Sequence, residues 1–254
     1  MKTYQILIKS FRRFDALERC VDSIVQYYPD ASIVIADDSF ELIPGRIPRT
    51  VQRLQGMRQV QWVQMPFDSG LSAGRNRMVE LADSERLILF DDDFVVNEET
   101  QLENLLKLLD VSDLAAGVLR DRGKLLGVPG VFSICDGELT ITSTNSQWSE
   151  YEGISYRKTD MALNFFAARK CTLLKHPWDT RFKITGEHLD FFLSLWKAGI
   201  RVVTTPDSII KHERSHSADY LKYRCRQAAF RPLVAQKWGL KRLPIYSPYI
   251  EELT

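Results

Sequence analysis

The stretch that decides the fold is Arg86-Leu87-Ile88-Leu89-Phe90-Asp91-Asp92-Asp93, an apolar run of strand length ending directly on three aspartates. A strand with one wet face alternates apolar and polar residues; an unbroken apolar run reads as a strand covered on both faces. The same pattern stands upstream in Ser32-Ile33-Val34-Ile35-Ala36-Asp37-Asp38-Ser39, and near the start over residues 4–9. Helix-like segments separate these runs. Leu17, Val21, Ile24, Val25 and Tyr28 share one helical face, with Asp15 and Glu18 as a capping-box variant before them and Pro29 as the stop. A polar, proline-bearing stretch over 40–57 leads to a third strand over 60–64. Small residues over 69–74 open a helix through Met78 and Leu81, and Leu102, Leu105, Leu106 and Leu109 repeat at helical spacing.

This β-α-β rhythm predicts an α/β fold, with a Rossmann-like, mostly parallel central sheet flanked by helices. In such a sheet the ligand sits outside the carboxyl ends of the strands. Asp37-Asp38 and Asp91-Asp92-Asp93 both follow apolar strands, so they are expected to share one crevice. The second half is less regular. Residues 114–119, 131–135 and 161–169 read as strands of a small mixed second sheet, and 188–198 as a helix stopped by Gly199. Val202-Val203 and Ile209-Ile210 read as two short strands separated by Pro206. No repeat or linker divides the chain, so one domain over 1–216 is expected, with 217–254 packed on it as an extension.

The bulk numbers narrow the classes. The chain has 254 residues, 44% of them hydrophobic and 26% charged, enough for a substantial core and unlike a disordered chain. A formal charge of +1 gives no global attraction to nucleic acid. No apolar run reaches the roughly 18–20 residues needed to span a bilayer, and the first strand begins without a cleavable signal pattern. The four cysteines are scattered, with no C-x-x-C pair, so reduced thiols and a cytoplasmic setting are expected.

Chemistry enters with the aspartate triplet. Adjacent carboxylates repel, and a hard divalent cation such as Mg²⁺ or Mn²⁺ relieves that repulsion, commonly using one or two carboxylates plus substrate phosphates. A solvated turn capping the next helix is the alternative. Asp37-Asp38-Ser39 has the same strand-end placement; it can accept hydrogen bonds from a base or ribose, or simply form a turn. Ser69-Gly70-Leu71-Ser72-Ala73-Gly74-Arg75-Asn76 lacks P-loop spacing, but its small residues permit close backbone approach, and Arg75 can pair with a phosphate or an acidic cluster. Glu187 and Asp190 lie three apart on one helix face, as caps or as a general base. His212, after Ile209-Ile210, can complete a metal site.

In order, these pieces resemble family 2 glycosyltransferases of the GT-A fold. Ile6-Leu7-Ile8-Lys9-Ser10-Phe11-Arg12-Arg13 stands where that family has an apolar strand and P-T-Y-N-R. Ile35-Ala36-Asp37-Asp38-Ser39 is similar to V-D-D-G-S, Gly70 to Asn76 to the G-x-x-x-A-R-N element, and Asp91-Asp92-Asp93 to D-x-D. Together with N-F-F-A-A-R (164–169) and E-H-L-D-F-F (187–192), the set most resembles β-1,4-N-acetylgalactosaminyltransferases. The match runs over about 4–216.

The resemblance implies a nucleotide-binding half over about 1–110 and an acceptor-binding half over about 111–216. Ser10, Phe11, Asp37, Asp38, Arg75, Asp91 and Asp92 would hold a UDP-sugar. Asp93 and His212 would bind Mn²⁺ or Mg²⁺. An N-acetylhexosamine would pass with inversion to a hydroxyl of an oligosaccharide, polysaccharide or lipid-linked glycan. Two departures stand out: P-T-Y-N-R reads K-S-F-R-R, and the E-D base motif reads Glu187-His188. The base is therefore Glu187 or Asp190, with Asp190 slightly preferred on its H-L-D-F-F setting.

The tail over 221–250 interleaves cations with Tyr223, Phe230, Trp238, Tyr246 and Tyr249. Packing on the domain is one expectation; peripheral contact with the inner face of a membrane is the other. The rival functions are a sugar nucleotidyltransferase, disfavoured by a glycine-free N-terminal loop, and a non-catalytic nucleotide- or glycan-binding protein.

Overall fold

The computed structural model describes residues 3–40, 47–127, 130–215, 218–243 and 251–252. In chain order the first half holds β1 (Gln5–Ser10), α1 (Phe14–Tyr27), β2 (Ser32–Asp37), α2 (Arg49–Gln55), β3 (Val60–Gln64), α3 (Leu71–Leu81), β4 (Arg86–Asp91), β5 (Phe94–Val95) and α4 (Leu102–Lys107). The second half holds β6 (Leu114–Asp121), β7 (Lys124–Gly127), β8 (Gly130–Cys135), β9 (Glu138–Ser143), β10 (Ser149–Tyr151), β11 (Ile154–Thr159), β12 (Phe166–Arg169), α5 (Lys170–Lys175), α6 (Glu187–Lys197), β13 (Val202–His212), α7 (Ala218–Arg224), a 3-10 turn (Cys225–Ala229) and α8 (Arg231–Trp238).

The main sheet runs β10-β11-β13-β6-β12-β4-β1-β2-β3. The block β4-β1-β2-β3 is wholly parallel, and β6 and β13 are parallel to each other. Between them β12 runs antiparallel to both β4 and β6. β8 and β9 form a small antiparallel second sheet, whereas β6 and β12, expected beside β8 in a mixed second sheet, pair within the main one.

Every residue of β1 and β2 is buried, because successive side chains of one strand feed two cores. Leu7, Val34, Leu87 and Leu89 join Met78 of α3 and Phe191 and Phe192 of α6 on one face. Ile6, Ile8, Ile33, Ile35 and Ile88 join Leu17, Val21 and Ile24 of α1 and Leu105 of α4 on the other. The result is a helix–sheet–helix sandwich, the expected α/β architecture.

Several local readings change. α1 begins at Phe14 with Arg13 at the N-cap and no side-chain cap bond, so Asp15 lies within the first turn; Arg13 is engaged elsewhere. The stretch 40–57 hides α2, and its residues 41–46 lie outside the described residues. Within 161–169 only the last four residues form a strand, and Lys170 at once opens α5. The two short strands around Pro206 are one strand, β13, with an irregularity between Thr204 and Ile209. That break in the ladder is where a proline is tolerated.

Candidate active site

The sheet register assembles the acidic shelf. Ser10 pairs with Asp37 on one side of β1, and Lys9 with Asp91 on the other. The two aspartate clusters thus end at one level on the strands flanking β1, as expected for a shared crevice.

Lys9 is the residue that the motifs did not single out. It is a cation inside a fully buried strand, next to the apolar run Ile6-Leu7-Ile8, and only 5% exposed. Its Nζ pairs with Asp38 and donates to the Ser10 carbonyl at 2.6 Å. The side chain fits because Gly74 has none; a Cβ there would meet Lys9 Cδ at 2.2 Å. Gly70 has φ +94, and a Cβ on it would meet the Lys183 backbone at 2.6 Å. The small residues over 69–74 therefore make room for the protein's own chain, although Gly70 also borders the cleft. Asn76 and Trp178 exchange hydrogen bonds of 2.8 and 2.9 Å, tying α3 to the second half.

The two aspartates after β2 differ. Asp38 accepts from Gly70 N at 2.7 Å and Ser69 Oγ at 3.3 Å, and it lines the cleft. Asp37 is fully buried and accepts from Ser39 Oγ at 2.6 Å and Ser39 N at 3.1 Å. Its burial outweighs those bonds and the Lys9 charge, and pushes its carboxyl up to about 6. Ser10 is also buried, and its hydroxyl has no hydrogen-bond partner among the described residues. Phe11 lines the cleft.

The triplet divides between two arginines. Asp91 accepts from Arg75 Nη2 at 3.2 Å. Arg75 is 1% exposed; it lies over the Trp178 ring, and its Nη1 is 3.7 Å from Glu187 Oε1. Arg75 thus joins the two halves of the site rather than lining the cleft. Arg13 spans Asp92 and Asp93, its Nη1 lying 2.5 Å from Asp93 Oδ2. Burial, followed by the neighbouring Asp93 and Asp91 charges, pushes Asp92 up to about 7 against the opposing pull of Arg13. Burial also opposes ionisation of Asp93, but the His212 hydrogen bond and the Arg13 charge outweigh it and hold that carboxyl low.

His212 arrives through pairing of β13 with β5: it sits opposite Phe94, and Glu213 N donates to the Asp93 carbonyl at 2.9 Å. Its Nε2 is 3.4 Å from Asp93 Oδ2. On its far side Asp121 holds Arg214 at 2.5 Å. Among the described residues no three acidic, histidine or cysteine groups converge as a ready-made metal cage. The pair still fits a hard ion: neighbouring ligands on an octahedral ion with bonds of about 2.1 Å stand about 3 Å apart, close to the Asp93–His212 spacing. The remaining positions belong to water or phosphate.

The acceptor-side candidates also separate. Glu187 is 6% exposed, and its Oε2 has no hydrogen-bond partner among the described residues. Burial raises its pKa against the pull of Arg75. Both oxygens of Asp190 are taken at 2.8 Å, by Lys237 Nζ and Trp238 Nε1 of α8. His188, where the motif would have aspartate, is kept neutral by burial and by the Arg75 charge, at about 3, and meets Asn164 Oδ1 at 2.8 Å.

The C-terminal segment closes the cleft from above. Tyr223 stands edge-on to Phe11 at 5.1 Å and under the Arg12 guanidinium at 4.9 Å. Arg13 lies over the Tyr220 ring at 4.7 Å, and Arg226 makes a two-pronged pair with Asp68 at 2.6 and 2.8 Å. These contacts turn Tyr223 and Arg226 toward the protein, whereas Leu221, Lys222 and Arg224 stay exposed. Tyr246 and Tyr249 lie outside the described residues. The cleft is partly open to solvent, with a cavity volume of about 60 Å³, and is lined by Lys9, Phe11, Arg13, Asp38, Asp92 and Arg226 among others. Sequence reasoning missed Lys9, Arg13, Asp68 and Lys183; only Lys9 carried a signal, a charge within a strand of buried residues.

Comparison with known proteins follows the same lines. Residues 5–176 match the family described as glycosyl transferase family 2. Beta-1,4 N-acetylgalactosaminyltransferase 1 of Mus musculus is 31% identical over 215 residues, 82% of this chain and 38% of that protein. The Homo sapiens protein of the same name is 30% identical over 217 residues, again 82% of this chain and 38% of the relative. The chain thus spans well under half the length of these relatives. A crystal structure of GalNAc-T7 with UDP, GalNAc and Mn²⁺ superposes with TM-score 0.63 at 16% identity, covering 92% of this chain and 50% of that one. At that identity the likeness speaks for the fold, the GT-A type of α/β sheet.

Proposed function

Because this chain belongs to glycosyl transferase family 2, we propose that it moves an N-acetylhexosamine, foremost N-acetylgalactosamine, from a UDP-sugar to a glycan hydroxyl, with inversion and with a divalent ion. The observation that carries the reading is the composition of one cleft: an aromatic ring (Phe11), a strand-end carboxylate (Asp38) and several cations beside the Asp91-Asp92-Asp93 shelf. The names of the relatives support the choice of donor.

In this reading Phe11 and Asp38 receive the uracil, and Asp91, the most exposed of the triplet, faces the ribose. Lys9, Lys183 and Arg226 give the cleft a positive wall for the diphosphate. Asp93 and His212 would hold Mn²⁺ or Mg²⁺, which when bound supplies Lewis-acid stabilisation of the charge on the departing phosphate oxygen. Glu187 takes the proton from the acceptor hydroxyl. The acceptor oxygen then bonds to the anomeric carbon, and the carbon–oxygen bond to UDP breaks with its electron pair leaving on the diphosphate. We assign the base to Glu187 over Asp190, because one Glu187 oxygen is uncommitted and its pKa is raised, as a base near neutral pH requires. Arg75 holds Glu187 and Asp91 in a fixed relation across the two halves of the site.

The test is a screen of UDP-sugars for release of UDP, with Mn²⁺ and with chelator. Release from UDP-N-acetylgalactosamine that depends on the ion is expected. No release and no binding of any UDP-sugar would overturn the proposal.

A further inference from the structure

Arg13 holds a position that its sequence neighbours do not explain. It stands at the N-cap of α1, where a short hydrogen-bonding side chain is the usual choice. Instead its guanidinium reaches across to β4 and pairs with both Asp92 and Asp93, its side chain only 14% exposed. Two adjacent carboxylates this deeply buried need a compensating cation, and here Arg13 supplies it. The oxygen that it takes, Asp93 Oδ2, is the one that also faces His212 Nε2 at 3.4 Å. With Nη1 2.5 Å from Oδ2, that oxygen has no room for a metal bond of about 2.1 Å on the same side. The two cations therefore compete for one carboxylate.

The surroundings give Arg13 somewhere to go. The side chain borders the cleft, lies against the Tyr220 ring at 4.7 Å, and carries an Nε–H with no hydrogen-bond partner among the described residues. A guanidinium released into a cleft that already holds Lys9 and Lys183 needs an anion, and a diphosphate oxygen suits it. We propose that Arg13 is a resident counter-ion which holds Asp92 and Asp93 in the ion-free protein and passes to the diphosphate on loading, making divalent-ion and UDP binding cooperative. The inference rests on reading the cleft as a UDP site. Linkage makes the effect reciprocal: whatever factor UDP adds to ion affinity, the ion adds to UDP affinity.

The test is Mn²⁺ binding to the full chain, followed by electron paramagnetic resonance at one fixed pH, with and without UDP. Wild type should bind Mn²⁺ weakly alone and more tightly with UDP. Arg13→Gln should bind Mn²⁺ alone about tenfold more tightly, within the ~5–150-fold range of such couplings, and should gain correspondingly less from UDP. Arg13→Lys, which keeps the charge on a single point, should fall between the two. Tyr220→Leu removes the supporting ring without touching the carboxylates. It should shift Mn²⁺ affinity in the same direction, even if the arginine variants fold poorly. Wild-type binding left unchanged by Arg13→Gln and Tyr220→Leu would overturn the inference alone. Absence of Mn²⁺ binding by wild type even with UDP would sink the underlying reading, and the inference with it.

Discussion

Asp38 and Asp91 to Asp93 reach the cleft from below, at the ends of β2 and β4, held level by backbone pairing with β1. Tyr220, Tyr223 and Arg226 reach it from above, on α7 and the turn that follows, held by side chains: ring contacts to Phe11, Arg12 and Arg13, and one ion pair to Asp68. The floor thus shares the cooperativity of a twelve-stranded sheet, while the roof rests on a few partly exposed contacts. Segments of the second kind open at a lower free energy than the global one. In the proposed reading, the floor carries the chemistry and the roof admits the donor.

The largest effect should fall on the floor. Asp93→Ala removes the carboxylate shared by Arg13 and His212. Metal stabilisation is worth several kcal/mol, so turnover of a UDP-sugar should fall about 10³-fold; near-normal turnover would detach the triplet from the chemistry. Glu187→Gln should lower kcat at least about 10²-fold with little change in donor KM, the scale of a general base. Asp190→Asn should act differently. It weakens charge-assisted bonds to Lys237 and Trp238, so a thermal melt should show a loss of about 1.5–3 kcal/mol with a smaller change in kcat. The reverse ranking would return the base to Asp190.

A third comparison uses pH. Asp37, pushed up to about 6 by burial, keeps a proton in the folded state that the unfolded chain has already released. The native protein therefore binds more protons between about pH 4 and 6, and stability falls as pH rises through that window. Asp37→Asn removes the titration, so its stability relative to wild type should climb by about 2 kcal/mol from pH 4 to pH 7 in denaturant melts; a flat difference would contradict the burial argument. The smallest effect should come from the roof. Arg226→Ala breaks a partly exposed pair, and global stability should move by less than about 1 kcal/mol. Donor KM should nonetheless rise about three- to tenfold as the closed roof becomes less populated.

The floor could be read from sequence because unbroken apolar runs and strand-end carboxylates are local signals: Ile33 to Asp38 and Leu87 to Asp93 announce their own geometry. The same holds for α6, whose apolar face and Gly199 stop are written in one segment. What could not be read depends on long-range pairing. Lys183 meets Gly70 only because the loop before α6 folds back on α3. His212 reaches Asp93 through a two-residue strand too short to show a pattern. The cations of the tail looked like a solvated or membrane-facing stripe; Asp68 and Asp190 turn two of them inward, and neither acid had been marked as their partner. Arg13 stood at the last position of the segment matched to P-T-Y-N-R, and only the fold shows that it lies between two carboxylates.

The most direct test is calorimetric titration of UDP into the full chain with Mn²⁺ and with chelator. The account predicts binding that is at least about tenfold tighter with Mn²⁺, as for a typical coupling between linked sites, and an equal loss of that gain in Asp93→Ala. UDP affinity that is the same with and without Mn²⁺, or that survives unchanged in Asp93→Ala, would contradict it.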